Sequence, residues 1–181
     1  LLVLDPQTLS GSYRRRNMRS NLMTRRMVGF LFFTGERIDM EAALFLNGEF
    51  EKSDRLTKQI NQADLLVAVD GGLQHVMASG LTPHIIIGDL DSIDATDLEN
   101  YENNGVDVVK FPVHKDETDL ELAVDYVLSL GFKEILILGA TGGRIDHFFG
   151  NILFFSNPKY LAYRIRILTK KSEIFYCTRQ Q

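Results

Sequence analysis

What most constrains this chain is a rhythm that sets in near residue 42, where short runs of Val, Ile, Leu and Ala alternate with longer amphipathic segments. The runs at 42–46, 65–69, 85–87, 106–111 and 135–138 are nearly continuous in apolar residues. Strands of that kind are covered on both faces, and helices between successive parallel strands provide the cover. The pattern therefore predicts an α/β fold, a mainly parallel sheet flanked by helices. Ser53 or Asp54 is placed to cap a helix running to about Ala63. Thr118 is placed to cap another running to Leu130, with Gly131 as its left-handed stop. Leu120, Ala123, Val124 and Val127 share one face of that second helix, and packing alone accounts for them.

After Asn157-Pro158 the pattern changes. Segments 164–169 and 173–178 alternate polar and apolar residues and are joined by Lys170-Lys171-Ser172, which reads as a hairpin. A lone hairpin is marginal in water, so it is expected to be the start of a small all-β domain of which the chain carries only the beginning. The expected organisation is an unassigned segment over 1–40, an α/β domain over 41–160, and the start of the β domain over 161–181. Within the first segment, Arg14, Arg15, Arg16, Arg19, Arg25 and Arg26 form either a phosphate-binding or targeting arm or a solvated face, the commoner outcome for such runs. The Ser/Arg bias is faintly that of an organelle transit peptide, against which Asp5 and the position of the run both stand.

Composition narrows the partners. A formal net charge of −4 and a pI near 5.6 give no basic surface for nucleic acid. No apolar run approaches the roughly 18 residues of a membrane span. Cys177 is the lone cysteine, so an internal disulfide is impossible, and no Cys/His spacing suits zinc. A reducing, cytoplasmic location is predicted.

In open α/β sheets ligands sit outside the carboxyl ends of the strands, so the residues that follow each apolar run are the informative ones. Here they repeat one theme. Run 65–69 leads into Asp70-Gly71-Gly72, run 85–87 into Gly88-Asp89-Leu90-Asp91-Ser92, and run 135–138 into Gly139-Ala140-Thr141-Gly142-Gly143-Arg144. Run 106–111 leads, through Pro112-Val113-His114, into Lys115-Asp116-Glu117-Thr118-Asp119. Carboxylates are the natural ligands of magnesium, which takes one or two of them and fills its shell with water and substrate phosphates. Asp89 and Asp91, two apart on a turn, are spaced to reach one ion. Glycines let backbone N–H groups approach phosphate, while Lys115 and Arg144 supply positive charge.

Each motif has a plainer reading. Asp70-Gly71-Gly72 and Gly142-Gly143 also suit tight turns. Asp89 to Ser92 also suits a helix start capped by Ser92 or Asp94, and Thr118-Asp119 a cap with a carboxylate favoured by the helix dipole. Convergence favours the site, because unrelated turns have no reason to place acids at the same end of strand after strand, where unpaired like charges are costly. His147 is equally a general base or a residue that orients a neighbour. His75, His84 and Cys177 read as structural.

Taken in order and with Asn151, these motifs resemble those of the thiamine pyrophosphokinases, over roughly residues 42–178; Asn47-Gly48 after the first run also matches that family's opening loop. The resemblance implies transfer of a diphosphate from ATP to the hydroxyethyl oxygen of thiamine by attack at the β-phosphorus, giving thiamine diphosphate and AMP and requiring Mg2+. It implies that Asp89, Asp91 and Asp119 hold the metal and the phosphates, with Asp70 and Asp116 supporting them. Asn47, Gly71, Gly72, Lys115, Thr118, Thr141, Gly142, Gly143 and Arg144 would contact ATP, and Asp146 with Asn151 would lie near the nucleotide or the thiamine. It further implies a homodimer, with a C-terminal β-sandwich helping to form both the dimer and the thiamine pocket. A carboxylate is expected to take the hydroxyl proton, and Asp119 is the candidate. From the residues alone two alternatives stand: a magnesium-dependent phosphohydrolase using the same carboxylates with water, and a non-catalytic nucleotide- or thiamine-binding module.

Overall fold

A computed structural model describes residues 2–3, 40–91, 93–111, 118–142, 145–154 and 156–176 of the 181. Its centre is β2 (Glu41–Phe45), every residue of which past Glu41 is shut off from solvent. From there β3 (Leu65–Val69), β4 (Ile85–Gly88) and β5 (Asp107–Lys110) step outward on one side, and β1 (Leu2–Val3) lies beyond β5. On the other side β6 (Glu134–Leu138) and β7 (Arg164–Leu168) follow, then β8 (Glu173–Phe175). All pairings are parallel except that of β7 with β8. The predicted strands form within a residue or two of their expected bounds.

Alternate residues of each strand feed two apolar layers. Ala42, Leu44, Ile135 and Ile137 face one layer, together with Leu120, Ala123, Val124 and Val127 of helix α4 (Asp119–Ser129). Ala43, Phe45, Leu136 and Leu138 face the other, with Leu56 and Ile60 of α1 (Asp54–Ile60) and Leu73 and Val76 of α2 (Leu73–Ala78). Burial on this scale, roughly 1.5–3 kcal/mol for each large side chain, is what drives both layers onto the sheet. Ser53 caps α1 and accepts from Leu56 N, but the helix stops at Ile60 rather than Ala63. The chain has to turn there so that Asp64 can accept the Glu41 N–H, at 3.0 Å, and enter β3. Thr118 caps α4 by accepting from Glu121 N, and Gly131 closes the helix at φ +98°. Two further helices, α3 (Ala95–Asn103) and α5 (Ile145–Phe154), follow β4 and β6. Asp94, one of the two caps weighed for α3, accepts from Thr96 N, and Ser92 lies outside the described residues.

The hairpin forms as expected, with Thr169 Oγ1 accepting from Lys171 N and Ser172 N in its turn. Within the described residues, however, it is not a separate all-β layer but a continuation of the same sheet. Ile165 and Ile167 of β7 pair beside Ile135 and Ile137 and enter the same apolar layer. On the opposite face Arg166 reaches past β6 to Glu41 of β2 (2.6 Å) and also donates to Gln59 and Glu173. These contacts weld the hairpin to the α/β unit.

Candidate active site

Strand order reverses at β2: its successors β3, β4 and β5 lie on one side and β6 on the other. A crevice at such a reversal, beyond the carboxyl ends of the strands, is where open α/β sheets bind ligands. The two sides of β2 offer different chemistry there.

On the β3–β4 side the carboxylates gather. Asp70 opens a 3-10 turn (Asp70–Gly72) at φ +47°, a left-handed conformation that Asp tolerates better than most residues and that turns its side chain across the end of β4. There Asp70 Oδ1 accepts from Asp89 N at 3.0 Å, and a Cβ on Gly88 would overlap that same oxygen. Leu90 also takes a positive φ, +60°, and is offset by burial in the core, so the turn holds Asp89 and Asp91 on either side of an apolar anchor. Asp89 Oδ1 accepts from Asp91 N at 3.2 Å. Asp119, the first residue of α4, is hydrogen-bonded to the Asp70 carboxyl. Burial, then the neighbouring charges of Asp119 and Asp89, push the Asp70 carboxyl up to about 7. Asp91 lies outermost, 3.6 Å from Lys110 Nζ.

Among the described residues no three such side chains already converge as a ready metal cage. Magnesium does not require one, since it keeps water and phosphate in most of its shell. A carboxyl raised by burial and by two neighbouring acids belongs to a donor set whose strain a divalent cation would relieve, so the residues fit the ion.

On the β6 side the site is formed mainly by backbone, with the Glu49 side chain packed against Gly142. Gly48 N donates to Gly139 O (2.7 Å) and Glu49 N to Thr141 O (2.6 Å), so the loop after β2 lies flat on the loop after β6. A Cβ on Gly48 would overlap both carbonyl oxygens. Asn151 of α5 donates to Ala140 O at 2.9 Å and fixes the β6 loop from outside. Asn47 packs against Gly71, which links the two sides.

The structure thus brings Asp70, Asp89, Asp91 and Asp119 together, with Thr118 serving as a helix cap. It sets Asn47, Gly71, Gly72, Thr141, Gly142 and Asn151 along the crevice. Asp146 and His147 lie exposed on the first turns of α5. Lys115, Asp116, Gly143, Arg144 and Cys177 lie outside the described residues. His84 is structural: its Nδ1 accepts from Leu66 N at 2.9 Å, and burial lowers its pKa, which keeps the ring a neutral acceptor. Two residues outside the motifs make contacts here: Lys110, whose place beside Asp91 follows only from the β4–β5 register, and His75, read above as structural, which donates from Nε2 to Gly48 O at 2.8 Å.

Comparison with known proteins bears on the same residues. A family model described as thiamin pyrophosphokinase, catalytic domain, matches residues 56–167. The thiamine pyrophosphokinase of Bacillus subtilis is 34% identical over 119 residues, covering 66% of this chain and 56% of that protein. Thiamin pyrophosphokinase 1 of Caenorhabditis elegans is 34% identical over 114 residues, or 58% of this chain and 45% of its own length. Among solved structures, a thiamin pyrophosphokinase family protein from Enterococcus faecalis superposes with a TM-score of 0.63 at 25% identity, covering 77% of this chain and 65% of that one. The Bacillus subtilis enzyme does so with a TM-score of 0.60 at 30% identity, over 74% and 62%. The chain therefore spans about half the length of these sequence relatives.

Proposed function

Because the chain belongs to the thiamin pyrophosphokinase family, by a catalytic-domain match over well over half its residues, we propose that it transfers a diphosphate from ATP to thiamine. The observation that carries this reading is the junction of Asp70, Asp89 and Asp119 beside a glycine-walled crevice at the reversal of strand order. The hydroxyl oxygen of thiamine attacks the β-phosphorus, the bond from that phosphorus to the α-phosphate oxygen breaks, and AMP leaves. Such a step needs chiefly in-line positioning and neutralisation of charge.

In this reading Asp89 and Asp91 hold Mg2+, with Asp119 completing the set and Asp70 and Asp116 supporting it. A magnesium ion there would neutralise the charge that develops on the transferred diphosphate and on the leaving oxygen. Asp119, hydrogen-bonded to Asp70, takes the hydroxyl proton. The neutral wall of Gly48, Gly139 and Thr141 admits the nucleotide, and Lys115 with Gly142, Gly143 and Arg144 binds its phosphates. Asn47, Gly71, Gly72 and Thr118 line the nucleotide side, and Asp146 and Asn151 lie toward the nucleotide or the thiamine.

The reading also carries a homodimer, a cytoplasmic location, a catalytic unit over 41–160, and a β unit that starts with the 161–181 hairpin at the sheet edge. No helix of the described residues is long and apolar enough to cross a membrane. Purified protein supplied with Mg2+, ATP and thiamine should yield AMP and thiamine diphosphate in equal amounts. Release of inorganic phosphate without either product would instead assign the carboxylates to a phosphohydrolase.

A further inference from the structure

We propose that His75 is a positioning residue for nucleotide binding: its imidazole fastens the 47–50 loop to helix α2 and so sets the position of the wall that this loop forms with the loop after β6. The inference rests on the nucleotide reading above and deepens it. The loop after β2 has its N–H groups committed to one neighbour, since Leu46 N, Gly48 N and Glu49 N donate to Leu138, Gly139 and Thr141 carbonyls. That pins one edge of the loop to β6. The outward-facing carbonyl of Gly48 is held by His75, at 2.8 Å. A carbonyl can only accept, so Nε2 carries the proton.

Two more contacts act in the same direction. The Phe50 ring lies 5.4 Å from the imidazole and 5.6 Å from Phe45, which fixes the plane in which the imidazole points. Lys52 Nζ donates to Ser79 O just past the end of α2. Helix α2 follows directly on the 3-10 turn that begins with Asp70, and Leu73 and Val76 anchor it in the core. His75 therefore ties the neutral wall to the same short element that aims the Asp70 carboxylate. A histidine needed only for packing has no reason to be half-buried with its donor on a loop carbonyl at the crevice.

The test uses the full chain and three variants, His75→Ala, His75→Gln and His75→Phe. For each, the Kd of the magnesium complex of a non-hydrolysable ATP analogue is measured by calorimetry, and kcat and both KM values by product assay. Loss of one hydrogen bond that holds a loop in place corresponds to about fivefold. His75→Ala and His75→Phe should weaken analogue binding and raise the KM for ATP by about that factor, with kcat and the KM for thiamine within about twofold. His75→Gln should recover most of the loss, because its amide nitrogen can donate to Gly48 O.

Wild-type affinity in His75→Phe, or a His75→Gln variant as weak as His75→Ala, overturns the inference. So does a fall in kcat that tracks lost folded protein while Kd is unchanged. If His75→Ala does not fold, the Gln and Phe pair decides. Should the wild-type chain bind the analogue yet form no AMP or thiamine diphosphate, the diphosphotransfer reading fails while the Kd series still decides the role of His75. A wild-type chain that does not bind the analogue overturns the inference.

Discussion

The two flanks of β2 are built to opposite rules. On the β3–β4 flank, side chains do the work: Asp70, Asp89 and Asp119 are held together against their own repulsion, by a left-handed Asp70, a buried Leu90 and a glycine that leaves room for the carboxylate. On the β6 flank the work is done by backbone, with Gly48 laid against Gly139 and Thr141 so closely that no side chain fits between. The first flank stores electrostatic tension that a bound cation would release. The second stores none and owes its shape to packing and hydrogen bonds. Substitutions on the first should therefore change chemistry at nearly constant fold, and on the second binding and stability together.

The largest effect is expected from Asp89→Asn. The amide keeps the side-chain shape and can still accept from Asp91 N, so the melting temperature should stay within a few degrees. Turnover should fall on the order of a thousandfold, the loss typical of removing one well-placed electrostatic group from a transferring phosphoryl site. Paired assays of AMP formation and thermal unfolding check this; full activity in the variant would remove Asp89 from the metal. On the other flank, Gly48→Ala places a methyl group on two backbone carbonyls that hold the loop after β2 to the loop after β6. Overpacking of that kind costs about 1–3 kcal/mol, so the melting temperature should fall by several degrees while analogue affinity drops roughly tenfold. A stable Gly48→Ala protein with unaltered affinity would show that the neutral wall does not shape the crevice.

Much of this contrast was legible in the sequence, and what was not had physical causes. The five inner strands were visible because burial on both faces leaves continuous apolar runs, and α4 because its cap, apolar stripe and stop glycine agree. Helix α3 buries no residue outright and rests on the core only through Leu98 and Tyr101, α2 is only six residues long, and α5 likewise buries none of its residues. The hairpin was read correctly as a hairpin, but its attachment to β6 is a long-range pairing that local alternation does not encode. The acids were found because Asp at strand ends is a local pattern. The contacts of His75 and Lys110 carry no such local pattern, since each comes from a pairing between distant segments.

A smaller effect separates the flanks by pH. Asp70 is raised to about 7, first by burial and then by Asp119 and Asp89, against an ordinary value of 3.8. Between those values the folded protein binds more protons at this site than the unfolded chain, so the site's contribution to stability falls as pH rises from about 4 to about 7 and then levels off. Metal-free Asp70→Asn should therefore gain on the wild type in melting temperature between about pH 5 and about pH 8, by a few degrees. Saturating Mg2+ at the higher pH should close the gap, because the ion supplies the charge that the protons had supplied. A constant difference between the two proteins across that range would mean the acid flank is not under tension.

The smallest expected effect concerns Lys110, the cation that this flank already contains. Its ammonium lies 3.6 Å from Asp91 Oδ1, with the two side chains 34% and 62% exposed, so solvent screens the pair and it contributes about 0–1 kcal/mol. Lys110→Met should thus leave the melting temperature within about 2 °C of wild type. It also removes a competitor for an oxygen assigned to the metal, so the Mg2+ concentration for half-maximal turnover should fall about two- to threefold at low salt, and the difference should shrink as salt is raised toward 1 M. The opposite result, weaker magnesium dependence together with a higher KM for ATP, would mean that the ammonium leaves Asp91 to meet a phosphate. In that case the acid flank binds anion as well as cation, and the division of labour across β2 runs between charged and neutral contacts to one nucleotide rather than between metal and nucleotide.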